Sequence, residues 1–189
     1  LNMIDTLGAK SVAILFSQGD ASITNATQFR DQSTELGYDC TAFETFDLGE
    51  MDYSAQCINI VSTNPDCVFL AVEGDYMGTC VKQLRQYGFE GTIISREELS
   101  IPQQEVAGDA MNGYAFPSLY VSWPSLEEAK PNVNEQMYSY LESYYNEYGE
   151  LPASIWAYEV WDAMMTLQQA AKLAGSNDPA ALRDAMNQL

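Results

Sequence analysis

The side chains of this sequence that could do chemistry are carboxylates and hydroxyls. Asp20, Glu73, Asp75, Glu97 and Glu98 fall in three short polar segments, residues 17–22, 73–75 and 96–100, each of which follows an apolar run. Carboxylates brought to one edge repel each other unless they are solvated or meet a cation, so one or two of them are suited to receive an ammonium group. Glu97 is the first choice for that role and Glu73 the second, with Ser17 and Ser22 adding neutral hydrogen bonds. The competing role is structural. Asp20 and Ser22 stand where a helix would be capped, and Asp75 precedes a helical pattern starting at Tyr76. A negative charge at such a position stabilises by about 0.3–1 kcal/mol.

Other chemistries are excluded by what the sequence lacks. It contains no histidine, which removes every His-based triad, acid–base pair and metal site. No G-x-G-x-x-G follows the first apolar run, and there is no G-x-x-x-x-G-K-[ST] or G-x-S-x-G. An enzyme is therefore not expected, nor is a metal or cofactor. The four cysteines, Cys40, Cys57, Cys67 and Cys80, lack C-x-x-C spacing and sit in apolar or helical stretches. Buried free thiols are the simpler expectation, and a disulfide stays open if the protein is exported.

Asp and Glu total 27 against 8 Lys and Arg, a formal net charge of −19. Such a chain repels phosphate backbones and anionic lipid, so neither nucleic acid nor a membrane surface is expected as a partner. The apolar runs are strand-length, far short of the ~20 residues of a membrane span. No signal peptide opens the chain, and residue 1 reads as a mature end or a cut within a longer protein.

The elements that must position these groups alternate in type. Residues 11–16 (SVAILF) form a nearly all-apolar run, as a parallel strand covered on both faces requires. A helix is expected to Leu36, with Ile23, Ala26, Phe29, Ser33 and Leu36 near one face and Gly37 as its stop. The cycle repeats with a strand over 40–46 and a helix over 53–63 that turns Tyr53, Cys57, Ile60 and Val61 inward and ends at Asn64-Pro65. A strand over 67–72 and a helix over 76–87 follow, with Met77, Cys80, Val81 and Leu84 inward and Gly88 as the cap. Further strands fall at 92–95 and about 113–116. This alternation predicts an α/β fold, a Rossmann-like mostly parallel sheet with helices on both faces. Ligands of such sheets bind outside the carboxyl ends of the strands, where the three acidic segments lie.

After Pro117 two helical patterns, about 131–148 and 154–174, follow with no strand between them. Tyr158, Trp161, Met164, Met165, Gln168 and Ala171 recur at helical spacing in the second and are expected in a core. Asp178 and Pro179 then open another helix as N-cap and first-turn residue.

An ordered series of motifs resembles the type I periplasmic-binding-protein superfamily, specifically the branched-chain amino-acid receptors of ABC transporters. Residues 10–16 (KSVAILF) are similar to the strand opening that family's second lobe, and 51–56 (MDYSAQ) to its "D-[FY]-S-A-Q" helix start. Residues 64–69 (NPDCVF) resemble "N-P-D-x-V-F", 81–88 (VKQLRQYG) the helix ending "Q-x-R-x-x-G", and 108–114 (GDAMNGY) "G-x-A-x-x-G". Tyr158–Ala163, Ala171 and 174–176 resemble the "Y-D-A" helix and its exit.

The resemblance implies that residues 1–118 are the second α/β lobe. Residues 119–189 would be a hinge and helices belonging to an incomplete first lobe. It further implies an extracytoplasmic solute-binding component that closes over an amino acid or related amide and is recognised by a membrane ABC permease. A ligand-sensing domain of a receptor or regulator with the same fold is the alternative. Glu97, with Glu98 beside it, falls about where the family holds the ligand's amino group, and Glu73 or Gly74 where a ligand-lining aromatic often sits. Ala21 and Ser22 stand where Tyr-Gly is frequent, a departure in the first loop. Self-association is expected of a chain whose helices lack their partner sheet.

Overall fold

The computed structural model of the protein describes residues 2–96, 98–117 and 123–189, without the side chains of Asn2 and Asp75. It divides into two compact units, Leu1–Pro117 and Ser118–Leu189.

The first unit opens with α1 (Asn2–Leu7) and β1 (Ser11–Ser17), then alternates α2 (Asp20–Glu35), β2 (Asp39–Phe46), α3 (Ser54–Ser62), β3 (Cys67–Ala71), α4 (Gly74–Gln86), β4 (Thr92–Ser95) and α5 (Ile101–Ala107). A 3₁₀ turn over Gly108–Met111 leads to β5 (Tyr114–Ala115). The five strands form one sheet in the order β2-β1-β3-β4-β5, and every pairing is parallel. The α/β fold expected from the strand–helix alternation is the one observed.

Strand alternation splits the core between the two faces of this sheet. Val12, Ile14 and Phe16 of β1 join Cys67, Phe69 and Ala71 of β3 on one face, with Ile4 of α1 and Ala26 of α2. Phe29 of α2 stacks on Phe69 at 3.8 Å between ring centroids. Ala13 and Leu15 join Val68, Leu70 and Val72 on the other face, under Cys57 and Ile60 of α3 and Met77, Cys80, Val81 and Leu84 of α4. With both faces covered, the central strands have to be apolar throughout, and β3 is buried along its whole length.

One helix face and one helix start differ from expectation. In α2 the buried line runs through Ser22, Ala26 and Ser33, while Ile23 is 37% and Leu36 64% exposed. Small side chains let this helix approach the sheet closely, and Phe29 packs on it while Ile23 and Leu36 face outward. The helix over 53–63 begins one residue later, at Ser54, with Tyr53 as its N-cap residue. Its end at Asn64-Pro65 is as read, and Asn64 takes the left-handed conformation (φ 51°) that a short polar side chain tolerates. Residues 2–7, 101–107 and 126–129 are short helices without periodicity enough to be read in advance.

The second unit holds α6 (Leu126–Ala129), α7 (Glu135–Tyr148), α8 (Ile155–Ala174) and α9 (Pro179–Met186). Asp178 caps α9 through its carboxylate, which accepts from the N–H groups of Ala180 and Ala181 at 3.0 and 3.1 Å. Tyr140 of α7 stacks on Trp161 of α8 at 4.6 Å, and its hydroxyl donates to the carbonyl of Ala157. Leu141, Tyr158 and Ala129 are the buried centre of this unit. The stripe expected to be core along α8 is only partly so, since Met164 is 56% exposed and Gln168 is exposed. Tyr158 and Trp161 face α7, whereas Met164 falls with Trp156 and Val160 on a different side of the helix, and all three are exposed.

Candidate ligand-binding site

The sheet order decides where a crevice can form. The chain leaves β1 for α2 on one face of the sheet, and leaves β3, its immediate neighbour, for α4 on the other. The segments after β1 and β3 therefore part company at the carboxyl edge, which is the topological switch point where α/β sheets take ligands. Ser17 ends β1 and Asp20, Ala21 and Ser22 follow it, while Glu73 and Gly74 come after β3.

Ser17 is the last residue of β1 and fully buried. Its hydroxyl donates to Glu73 Oε2, which ties the two strand ends together across the crevice. Glu73 is half-buried and occupies the N-cap position of α4, but its side chain makes no capping bond to that helix. It reaches instead toward Gly19, where a Cβ would overlap Oε1. Gly19 is itself the N-cap residue of α2, with an extended backbone and no side chain to cap with.

Both capping expectations at this edge are thus corrected. Asp20 lies inside the first turn of α2 rather than at its cap, and Ser22 is buried in the same turn. Asp75 lies inside α4, which starts at Gly74 and not at Tyr76. Both helices begin one to three residues early because their cap positions require only extended backbone, which Gly19 and Glu73 supply.

Gln18 fixes the loop from the β2 side, with its N–H donating to the carbonyl of Phe46 at 3.0 Å and its amide to Thr45 Oγ1 at 3.0 Å. At the next strand end, Ser95 is buried and its hydroxyl meets Tyr114 Oη at 2.5 Å, while Tyr114 Oη lies 2.8 Å from Met77 Sδ. Ser95 also lines a cavity together with Phe69, Ile94, Arg96 and Pro117. Glu98 is half-buried beyond β4, and Glu97 lies outside the described residues. Ala21, Asp20 and Gly74 are exposed, and Gly74 has open space where a Cβ would project.

Gly19 and the Ser95–Tyr114 pair were not singled out in the sequence. A glycine two residues past a strand is a signal that could have drawn notice to Gly19. The contact that gives it meaning, with Glu73, spans more than fifty residues and leaves no local pattern.

The cysteines are free thiols, with Cys57, Cys67 and Cys80 buried and Cys40 half-buried. Burial pushes the Cys57 thiol up to about 12 and the Cys67 thiol up to about 11, and holds Cys80 well above its ordinary value. Cys57, Cys67 and Cys80 are core residues with little thiolate character.

Against known proteins, residues 1–189 match the family described as periplasmic binding protein. The chain belongs to that family. A Leu/Ile/Val-binding protein homolog 1 of Brucella abortus is 27% identical over 164 residues, covering 86% of this chain and 41% of that protein. Homolog 2 of the same organism is 24% identical over 187 residues, 98% of this chain and 47% of its own length. The crystal structure of a leucine-binding protein from Thermotoga maritima superposes with a TM-score of 0.83 at 27% identity, over 97% of this chain and 50% of that one. A branched-chain amino acid transporter substrate-binding protein of Streptococcus pneumoniae, solved with isoleucine, shares the fold with a TM-score of 0.79 at 21% identity. This periplasmic binding protein chain spans about half the length of the relatives it matches.

Proposed function

We propose that this chain supplies one wall of the binding cleft of an extracytoplasmic solute-binding protein. Its ligand is an amino acid or related small polar amide, which an ABC permease then receives. The observation that carries this reading is the Ser17–Glu73 pair at the switch point of an all-parallel sheet, in a chain of the periplasmic binding protein family. Relatives whose printed names specify leucine, isoleucine and valine as ligands support the amino-acid class. In this reading residues 1–118 are the second lobe, and residues 119–189 are a hinge and helices that belong with the first. Glu97, with Glu98 next to it, receives the ligand's ammonium group, and Ser17, Ser22 and Glu73 line the same edge.

Such a site binds without bond chemistry. Ligand stabilises the closed arrangement of two lobes, and the permease distinguishes closed from open. A thermal-shift screen of the complete protein against amino acids, amides and small aromatic acids tests this. A specific ligand at 100 times its dissociation constant stabilises by about 2.7 kcal/mol. Shifts produced by neutral or anionic compounds, with none from any amine, would overturn the assignment of an ammonium to this edge.

A further inference from the structure

We infer that Glu73, held by Ser17 and given room by Gly19, is a specificity-determining residue that favours ligands with a side-chain ammonium over ligands with an aliphatic side chain. The inference rests on the amino-acid-type binding role proposed above and names the ligand class within it.

Three features of the crevice point this way. First, the carboxylate is half-buried at the switch point, and among the described residues it pairs with no lysine or arginine. It accepts one hydrogen bond from the Ser17 hydroxyl, yet a carboxylate offers about four acceptor positions, so most of its capacity is open to a ligand. Second, its place is built and not incidental. Ser17 is fully buried and directs its hydroxyl at Oε2, while the absence of a Cβ at Gly19 leaves the volume that Oε1 fills. Third, the surrounding wall offers an aliphatic group little to pack on. Of residues 17–22, 73 and 74, Ala21 alone has an apolar side chain, a single exposed methyl.

An aliphatic side chain seated here would strip water from Glu73 and return no hydrogen bond. That leaves an acceptor unsatisfied, the arrangement that discriminates most strongly between ligands of equal size. An ammonium on the same side chain donates a charge-assisted bond to the same oxygens.

L-Ornithine and L-norvaline share the α-amino acid group and the three-carbon side chain, and differ in the terminal ammonium. Calorimetric titration of the complete protein should give ornithine the tighter binding by about tenfold or more, the worth of one hydrogen bond to a charged group. In Glu73→Gln the ratio should fall to about one. Gly19→Ala provides a second variant that keeps the carboxylate. The backbone at Gly19 (φ −78°, ψ 144°) accepts alanine without strain, but the new methyl displaces Oε1, so the ratio should fall there too. Melting curves of both variants establish that they are folded.

Norvaline binding as tightly as ornithine, or a preference that survives Glu73→Gln, overturns the assignment and leaves amino-acid binding intact. Absence of binding by these and every other amino acid removes the binding role itself, and this inference with it.

Discussion

At the scale of single residues, one carboxylate has a structural duty that is easy to separate from the site. Asp66 Oδ2 accepts from the N–H groups of Lys10 and Ser11 at 2.7 and 2.9 Å and from Ser11 Oγ at 3.0 Å. These bonds, with those from the backbone dominant, hold its carboxyl below the ordinary range. The stability it contributes is present above its unfolded value of about 3.9 and is lost as pH falls through the lower folded value. Because the group is exposed, Asp66→Asn should cost only about 1 kcal/mol at neutral pH. Urea unfolding should show that difference shrinking as the pH falls through the acid range. The thiols make a reactivity prediction. With burial raising Cys57, Cys67 and Cys80, iodoacetamide on the native protein should modify Cys40 first and leave the other three until unfolding, as mass spectrometry would read. The site was legible at this scale as residue types at strand ends, since Ser17 and Glu73 follow apolar runs. Their pairing was not, because it depends on which strands become neighbours.

At the scale of elements, close approach of helices matters more than helix propensity. Gly78 sits inside α4, where alanine would ordinarily be favoured by about 1 kcal/mol. A Cβ there would collide with the carbonyl oxygen of Gln103 in α5, whose side chain also accepts from the Gly78 N–H at 2.9 Å. Gly78→Ala should therefore destabilise, by about 1–3 kcal/mol, the range for forcing extra volume into packed structure. A rise in stability on thermal melting would show that α5 can move aside. In the second unit, Leu141 is fully buried between α7 and its neighbours, and Leu141→Ala should lose about 2–5 kcal/mol from the unfolding of that unit. Strand positions were readable because a sheet covered on both faces demands continuous apolar runs such as 67–71. Helix faces were read less well. In α2 Ala26, Phe29 and Ser33 face the sheet as expected, but Ser22 is buried where Ile23 was expected, and Leu36 is exposed. In α8 apolar residues lie on more than one side, so periodicity alone could not say which side meets α7.

At the scale of the whole molecule, charge is the dominant property. A formal net charge of −19 sets up self-repulsion in the folded state that salt screens, with a Debye length near 10 Å at 0.1 M. The melting temperature should accordingly rise between about 0.05 and 0.5 M sodium chloride; a flat or falling trend would mean that these acids are locally compensated. Family membership was legible because short motifs recur in order along nearly the whole chain, even though each is weak alone. The central claim is that a small amine-bearing ligand binds at the switch point between β1 and β3. Backbone amide chemical shifts of the isotopically labelled complete protein, followed during titration with an amino acid that passes the thermal screen, test it most directly. The largest changes should fall on residues 17–22 and 73–74. Changes confined to the opposite end of the sheet, around residues 88–91, or to α7 and α8 alone, would contradict it.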